Sequence, residues 1–167
     1  MKRRGTIVTN SSMVYDEPCA QHLLAMMMSL ARQLPYILDE QRENQSWKTQ
    51  EFRRRMRLLN EQTALIFGFG TIAERLVELL TPLKIKLIGV RRKVKGNEPI
   101  QIITEEQVDE YLPTADHVIN ILPDNSGTKS YFNAERLSKI KEHTIYYNIG
   151  RGTTIDQNAL IKLLEQK

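Results

Sequence analysis

Cysteine, histidine and long apolar runs are all scarce in this sequence. Cys19 is the only cysteine among 167 residues, and the three histidines show no spacing typical of metal ligands. We therefore expect no internal disulfide, no metal site and a reducing, cytoplasmic location. The longest apolar run, Leu23–Ala31, is far shorter than the ~20 residues that span a bilayer, and the start "MKRRGTIVTN" lacks the apolar core of a signal peptide. These absences predict a protein with no membrane partner.

The charges are close to balanced. Twenty-four Lys and Arg stand against 20 Asp and Glu, which gives a net charge of +4, and the length suits one globular domain with a sizeable core. The basic stretch "FRRRMR", residues 52–57, is not interleaved with aromatic residues as a platform for single-stranded nucleic acid would be. We expect no nucleic-acid partner.

The first 60 residues predict a short strand, a long helix and an exposed linker. The strand is expected at Thr6–Thr9, and an acidic pair before Pro18 suits the start of a helix whose apolar spacing continues to Leu38. The polar and basic segment Gln41–Asn60 predicts an exposed connector. We divide the chain there, into residues 1–60 and a dinucleotide-binding domain at residues 61–167.

Strands and helices alternate from residue 63 onward. The predicted strands are Ala64–Phe67, Ile85–Val90, Ile100–Ile103 (a weak run), His117–Leu122 and Thr144–Asn148, and the predicted helices are Thr71–Leu80, Glu105–Leu112, Ala134–Lys141 and one from Asp156. Such alternation is typical of a parallel sheet with helices on both faces. The predicted fold class is α/β, a Rossmann-like doubly wound parallel sheet.

The segment "TALIFGFGTIAERL", residues 63–76, predicts a dinucleotide-binding turn. Gly68 permits a tight turn, Gly70 lets the backbone approach a pyrophosphate, and the amides of Thr71 and Ile72 would bind phosphate oxygens at the helix N-terminus. Glycines also end strands for ordinary turn reasons. The strand before and the helix after this turn favour the nucleotide interpretation.

The residues after the second strand indicate which dinucleotide is bound. An NAD site usually places Asp or Glu there, about 20 residues after the turn, to bind the ribose hydroxyls. This chain has Arg91 and Arg92 instead, and arginine suits a 2′-phosphate through charge-assisted hydrogen bonds. We expect NADP(H) to be preferred and NAD(H) to be possible; the alternative is a solvated basic loop.

Four segments, in this order, resemble the D-isomer-specific 2-hydroxyacid dehydrogenases, which include glyoxylate/hydroxypyruvate reductases. They are "GTIVTNSSMVYDEPCAQHLLAMMMSLAR", "IFGFGTIAERL", "ADHVINILPDNSGTKSYFN" and "YYNIGRGTTIDQNALIKLLEQ". The resemblance implies the cofactor domain of an oxidoreductase that reduces a small 2-oxo acid to the 2-hydroxy acid. It also implies a long inter-domain helix before that domain and a sheet that is incomplete at its C-terminus.

The resemblance also implies roles for residues of the last two segments. Leu122 and Pro123 would line the cofactor pocket, and Ile149 and Gly150 would meet the nicotinamide side with their backbone. Arg151 matches the family's catalytic arginine, which would clamp the carboxylate of the oxo acid and polarise its carbonyl. Without the other segments, Arg151 would be interpreted as a solvent-facing turn residue.

Two parts of the family pattern are not found in this sequence. No glutamate and histidine pair follows Arg151 as acid/base, and no substrate domain precedes the long helix. His22, His117 and His143 are interpreted as structural or surface residues. We therefore expect the cofactor-binding part of a longer enzyme, inactive alone; the alternative is a non-catalytic nucleotide-sensing or interaction module of the same fold.

The helix predicted over Pro18–Leu38 has more apolar positions than one face can bury. Met26, Met27 and Met28 point in three directions around it, and methionine suits an adaptable contact. The resemblance implies pairing through this helix, so we expect a homodimer. The alternative is that the extra apolar surface covers a substrate domain.

Overall fold

The computed structural model describes residues 7, 9–11 and 13–166. The strand expected at Thr6–Thr9 lies largely outside these residues. The strands are β1 (Thr63–Phe67), β2 (Lys86–Val90), β3 (Gln101–Ile103), β4 (His117–Asn120) and β5 (Ile145–Asn148). The helices are α1 (Asp16–Ala31), α2 (Leu34–Asn44), α3 (Thr49–Arg55), α4 (Thr71–Leu80), α5 (Val108–Tyr111), α6 (Ala134–Ser138) and α7 (Gln157–Glu165).

The five strands form one parallel sheet in the order β3-β2-β1-β4-β5. The central strand β1 pairs on both sides, and Phe67 at its end lies opposite Val90 of β2 and Asn120 of β4. This order confirms the predicted Rossmann-like fold. The chain changes direction across the sheet between β1 and β4, which is where such sheets bind ligands.

Helices cover both faces of the sheet, as the alternating side chains of β1 require. Ala64 and Ile66 are buried on the face covered by α1 and α4. Leu65 and Phe67 are buried on the face covered by α5, α6 and α7. Burying each large aliphatic or aromatic side chain contributes about 1.5–3 kcal/mol relative to leaving it exposed. Since α1 shares a core with α4, it is fixed to the sheet.

The single helix predicted from Pro18 to Leu38 is wrong, because the structure has two helices there. Pro35 has no N–H to donate to the carbonyl of Ala31, and its ring would clash with that carbonyl in a continuous helix. The chain instead turns at Gln33, whose φ is 57°. The Ala31 carbonyl then accepts the backbone N–H of Arg57 at 2.8 Å, which joins the end of α1 to the connector.

The exposed connector predicted at Gln41–Asn60 is also partly wrong. It contains α3, on which Phe52 is buried against Tyr36 and Trp47 with ring centroids 5.9 and 5.3 Å away. Glu40 is buried nearby and binds Lys48 at 2.8 Å. Phe52 therefore docks α3, whose other residues are polar or charged.

The later elements are shorter than predicted. The strand expected to reach Leu122 ends at Asn120, because the Asn120 side-chain oxygen accepts the Leu122 backbone N–H at 3.1 Å. The helix predicted at Glu105–Leu112 is α5 with a 3₁₀ turn at each end. The helix predicted to reach Lys141 ends at Ser138.

Candidate functional site

The turns that follow β1, β4 and β5 meet at the carboxyl edge of the sheet. A Cβ on Gly68 would lie 2.9 Å from the Ile121 carbonyl oxygen, and a Cβ on Gly150 would lie 2.7 Å from the Leu122 carbonyl oxygen. Both distances are too short for any side chain. The structure therefore brings Gly68, Leu122 and Gly150 together through main-chain packing, on either side of the switch point between β1 and β4.

The turn between β1 and α4 leaves room for a ligand. Gly68 has a φ of 92°, a left-handed conformation that favours glycine, whereas Gly70 is exposed and a Cβ placed there would meet nothing within 4 Å. The first amides of a helix have no partner within it, and those of Thr71 and Ile72 lie at the positive end of α4, directly after Gly70. This arrangement suits a phosphate group.

Sequence reasoning missed a carboxylate beside that turn. The Thr71 hydroxyl donates to Asp16 of α1 at 2.8 Å, and Arg75 binds Glu17, lowering the pKa of that carboxyl. The sequence placed this acidic pair at the start of a helix but not against α4. The contacts fix the first turn of α1 beside the N-terminus of α4.

The two arginines after β2 differ in their surroundings. Arg92 is exposed. Arg91 lies 3.3 Å from Glu98, whose side chain is only 6% exposed. Glu98 also accepts the backbone N–H groups of Lys95 and Gly96, both at 2.8 Å, and these hydrogen bonds, with Arg91 nearby, hold its pKa below the usual range. Sequence reasoning found the arginines and missed this acid.

The turn that carries Arg151 is held from below by a buried polar network. Asn120 is fully buried and donates to the Thr154 hydroxyl at 2.7 Å, and Thr154 donates to the Arg151 carbonyl at 2.6 Å. Asn148 accepts the Gly150 N–H at 3.0 Å. The Arg151 side chain itself is exposed, so its turn is fixed while its guanidinium faces solvent. The signal for this network was a polar residue, Asn120, that directly follows the apolar residues Val118 and Ile119.

The remaining predicted lining residues lie at the same edge. Leu122 and Ile149 are half-buried and Pro123 is exposed. The Pro123 carbonyl accepts the hydroxyl of Thr128 at 2.5 Å. All the predicted cofactor-binding residues therefore follow β1, β2, β4 or β5 at the carboxyl edge of the sheet.

His117 lies at the opposite edge, at the start of β4. It is buried, with its ring nitrogens 2.7 Å from the Gln62 side-chain oxygen and 3.1 Å from the Tyr147 hydroxyl. Burial lowers its pKa to about 4. His22 and His143 are exposed. In the part of the chain that the structure describes, no group of three or more His, Cys, Asp or Glu could hold a metal ion, and no helix is long and apolar enough to cross a membrane.

Comparison with known proteins agrees with this geometry. The sequence model of the D-isomer specific 2-hydroxyacid dehydrogenase NAD-binding domain matches residues 24–167. A glyoxylate reductase of Pyrococcus furiosus is 28% identical over 171 residues, which cover 98% of this chain and 50% of that protein.

Solved structures of the same family share the fold. A family protein of Aeromonas salmonicida has a TM-score of 0.84 at 26% identity, covering 94% of this chain and 49% of that one. A dehydrogenase of Xanthobacter autotrophicus in complex with NADPH has a TM-score of 0.82 at 23% identity, covering 96% and 64%. The chain spans about half the length of the glyoxylate reductase and of the Aeromonas protein.

Proposed function

Because the chain belongs to the D-isomer-specific 2-hydroxyacid dehydrogenase family, we propose that it is the cofactor-binding part of an NADP(H)-dependent oxidoreductase that reduces a small 2-oxo acid. The observation that carries the proposal is the open space over Gly70 before the N-terminus of α4. It lies at the same sheet edge as the turn of Arg151. A dinucleotide held at the first turn would extend toward the second.

Each predicted residue has a task in this proposal. The amides of Thr71 and Ile72 bind the pyrophosphate, and Leu122 with Pro123 lines the pocket beyond it. The backbone of Ile149 and Gly150 meets the nicotinamide, which supplies the hydride when the cofactor is bound. These groups position the cofactor and do no bond-making chemistry themselves.

Arg151 has the catalytic task. Its planar, permanently charged guanidinium would bind the carboxylate of the oxo acid and polarise the carbonyl that receives the hydride. Its fixed turn and exposed side chain support this role.

The similarity to a glyoxylate reductase favours a substrate as small as glyoxylate or hydroxypyruvate. We place the protein in the cytoplasm and retain residues 1–60 and 61–167 as its two parts.

Nucleotide preference gives the sharpest test of the cofactor. We expect NADPH to bind about tenfold more tightly than NADH, because a charge-assisted hydrogen bond from arginine to the 2′-phosphate contributes about 1.5–3 kcal/mol. Isothermal titration calorimetry of both nucleotides measures the ratio. Arg91→Asp and Arg92→Asp should each lower it.

The matched control is Arg53→Asp, which makes the same charge change on the exposed surface of α3. It should leave the ratio unchanged. Equal affinities for NADPH and NADH in the wild type, or a preference that survives both substitutions after β2, would contradict the NADP(H) assignment. Binding of neither nucleotide would contradict the proposed function as a whole.

A further inference from the structure

Glu98 occupies an anion-binding site built by its own loop. Its carboxylate accepts two main-chain N–H groups, from Lys95 and Gly96, and the guanidinium of Arg91. Gly96 has a φ of 86°, which lets the two neighbouring amides converge on one acceptor. Successive amides in such a turn form a concave nest for an anion, and this one is filled by a side chain that is nearly buried.

Arg91 of the nest follows the strand end that contacts the glycine turn. The Gly68 N–H donates to the carbonyl of Val90, the residue before Arg91, at 3.3 Å. Arg91, Lys95 and Glu98 line a cavity of about 580 Å³ whose other wall is α4, including Glu74 and Glu78. The loop after the second strand is where this fold binds the ribose that carries the 2′-phosphate.

We propose that Glu98 is a specificity-determining residue whose carboxylate occupies the anion site that the 2′-phosphate of NADP(H) would use. The inference rests on the proposed function, because it assumes that the dinucleotide binds at the glycine turn. A phosphate monoester carries more charge than a carboxylate and three strong acceptor oxygens. It would therefore compete with Glu98 for Arg91 and for the two amides.

Competition between Glu98 and the 2′-phosphate weakens the binding of the phosphorylated nucleotide. While Glu98 binds Arg91, the incoming 2′-phosphate must either displace that carboxylate or share the guanidinium with it, and two like charges at one site repel. Glu98 thus lowers the affinity for the phosphorylated nucleotide relative to the unphosphorylated one. The NADP(H) preference that we propose is therefore a net effect: attraction of the 2′-phosphate by Arg91 and Arg92 exceeds its repulsion by Glu98.

The test compares two ligands that differ only by the 2′-phosphate, 2′,5′-ADP and 5′-AMP, in calorimetric titrations of the full chain. Glu98→Gln removes the charge and keeps the shape, so we expect the affinity ratio of 2′,5′-ADP to 5′-AMP to rise about fivefold. In the Arg91→Gln background, the same substitution should give a smaller gain, because only the two amides are then contested.

The matched control is Glu74→Gln, which removes one negative charge from the same cavity. It should leave the ratio unchanged, since Glu74 lies in the wall and not in the nest. An unchanged or lower ratio in Glu98→Gln, an equal rise in Glu74→Gln, or a gain that is undiminished without Arg91 would each overturn the inference and leave the proposed function standing. If 2′,5′-ADP, 5′-AMP, NADPH and NADH all fail to bind, the result contradicts the proposed function and the inference together.

A second measurement uses the wild-type protein and does not depend on any variant folding. In NMR spectra, 2′,5′-ADP should shift the Lys95 and Gly96 amide resonances as Glu98 leaves them, and 5′-AMP should not. Binding of 2′,5′-ADP with both resonances unmoved would overturn the inference.

Discussion

At the scale of single residues, two glycines of the same motif have different tasks. Gly68 has a left-handed backbone and lies against the Ile121 carbonyl, whereas Gly70 has open space before it. The motif predicted the tight turn at Gly68, which the structure shows, and a close approach of phosphate at Gly70, which stays a prediction. It could not predict that Gly150 has the same close approach to Leu122, because that contact joins segments nearly 30 residues apart and depends on the pairing of β4 with β5.

Substitution by alanine should separate these two tasks. We expect Gly68→Ala to lower the free energy of unfolding by about 2–3 kcal/mol, since the new methyl group meets a carbonyl in a strained conformation. Gly70→Ala should change it by less than about 1 kcal/mol but weaken dinucleotide binding. Urea unfolding followed by circular dichroism and calorimetric titration measure the two effects. If Gly70→Ala bound dinucleotide as the wild type does, the phosphate would have to lie elsewhere.

His117 makes the stability of the fold depend on pH. Its pKa is lowered from 6.5 to about 4 by burial, so the unfolded state takes up a proton before the folded state does. The contribution of neutral His117 is complete above pH 6.5 and is lost as the pH falls toward 4, by about 3 kcal/mol in total. Urea unfolding at pH 7 and pH 4.5 should show most of this loss.

The matched variant is His117→Gln, which keeps a polar side chain that does not titrate. It should be less stable at pH 7 but lose less stability between pH 7 and pH 4.5 than the wild type. An equal loss in both proteins would assign the acid sensitivity to the carboxylates, such as Asp109, whose pKa is lowered by a hydrogen bond from Lys139.

At the scale of elements, the sequence predicted strands better than helix ends. Strands β1, β2 and β4 each contain buried apolar residues in succession, and such runs are recognisable in the sequence. The break between α1 and α2 had a signal in Pro35, but the apolar spacing continues across it and favoured one helix. The sequence pattern gave almost no indication of helix α3. Its docking depends on Phe52 and on aromatic partners in α2 and in the preceding loop.

At the scale of the whole molecule, the candidate site was predictable where it follows strand ends and unpredictable where it depends on contacts between loops. Parallel strands place their carboxyl ends together, so Gly68, Arg91, Leu122 and Arg151 could be assigned to one edge from their positions alone. The Arg91 contact with Glu98 and the network under Arg151 required the folded chain. Both involve polar residues whose partners periodicity does not reveal.

We expect the molecule to form a homodimer through α1 and α2. Met28, Leu34 and Leu38 are 39, 47 and 44% exposed, whereas Met27 is fully buried in the subunit's own core, so Met27 is not an interface residue. Leu34→Glu should shift the protein from dimer to monomer in light scattering after size exclusion, because a charge would enter an apolar contact.

The control is Leu164→Glu on α7, where the leucine is 62% exposed; it should leave the dimer intact. A wild-type protein that is monomeric in solution would refute the assembly. A dimer that survives Leu34→Glu would place the interface on another face.

Trp47, the only tryptophan of the chain, lies between α2 and α3, 68% exposed and edge-on to Phe52. Its near-ultraviolet emission therefore reports on one place, the docking of α3 against α2. Loosening of this segment would separate the indole from the Phe52 ring and change its emission intensity while the sheet is still folded. The protein thus contains a local optical probe of its connector, whose signal is separate from the far-ultraviolet signal of the helices and strands.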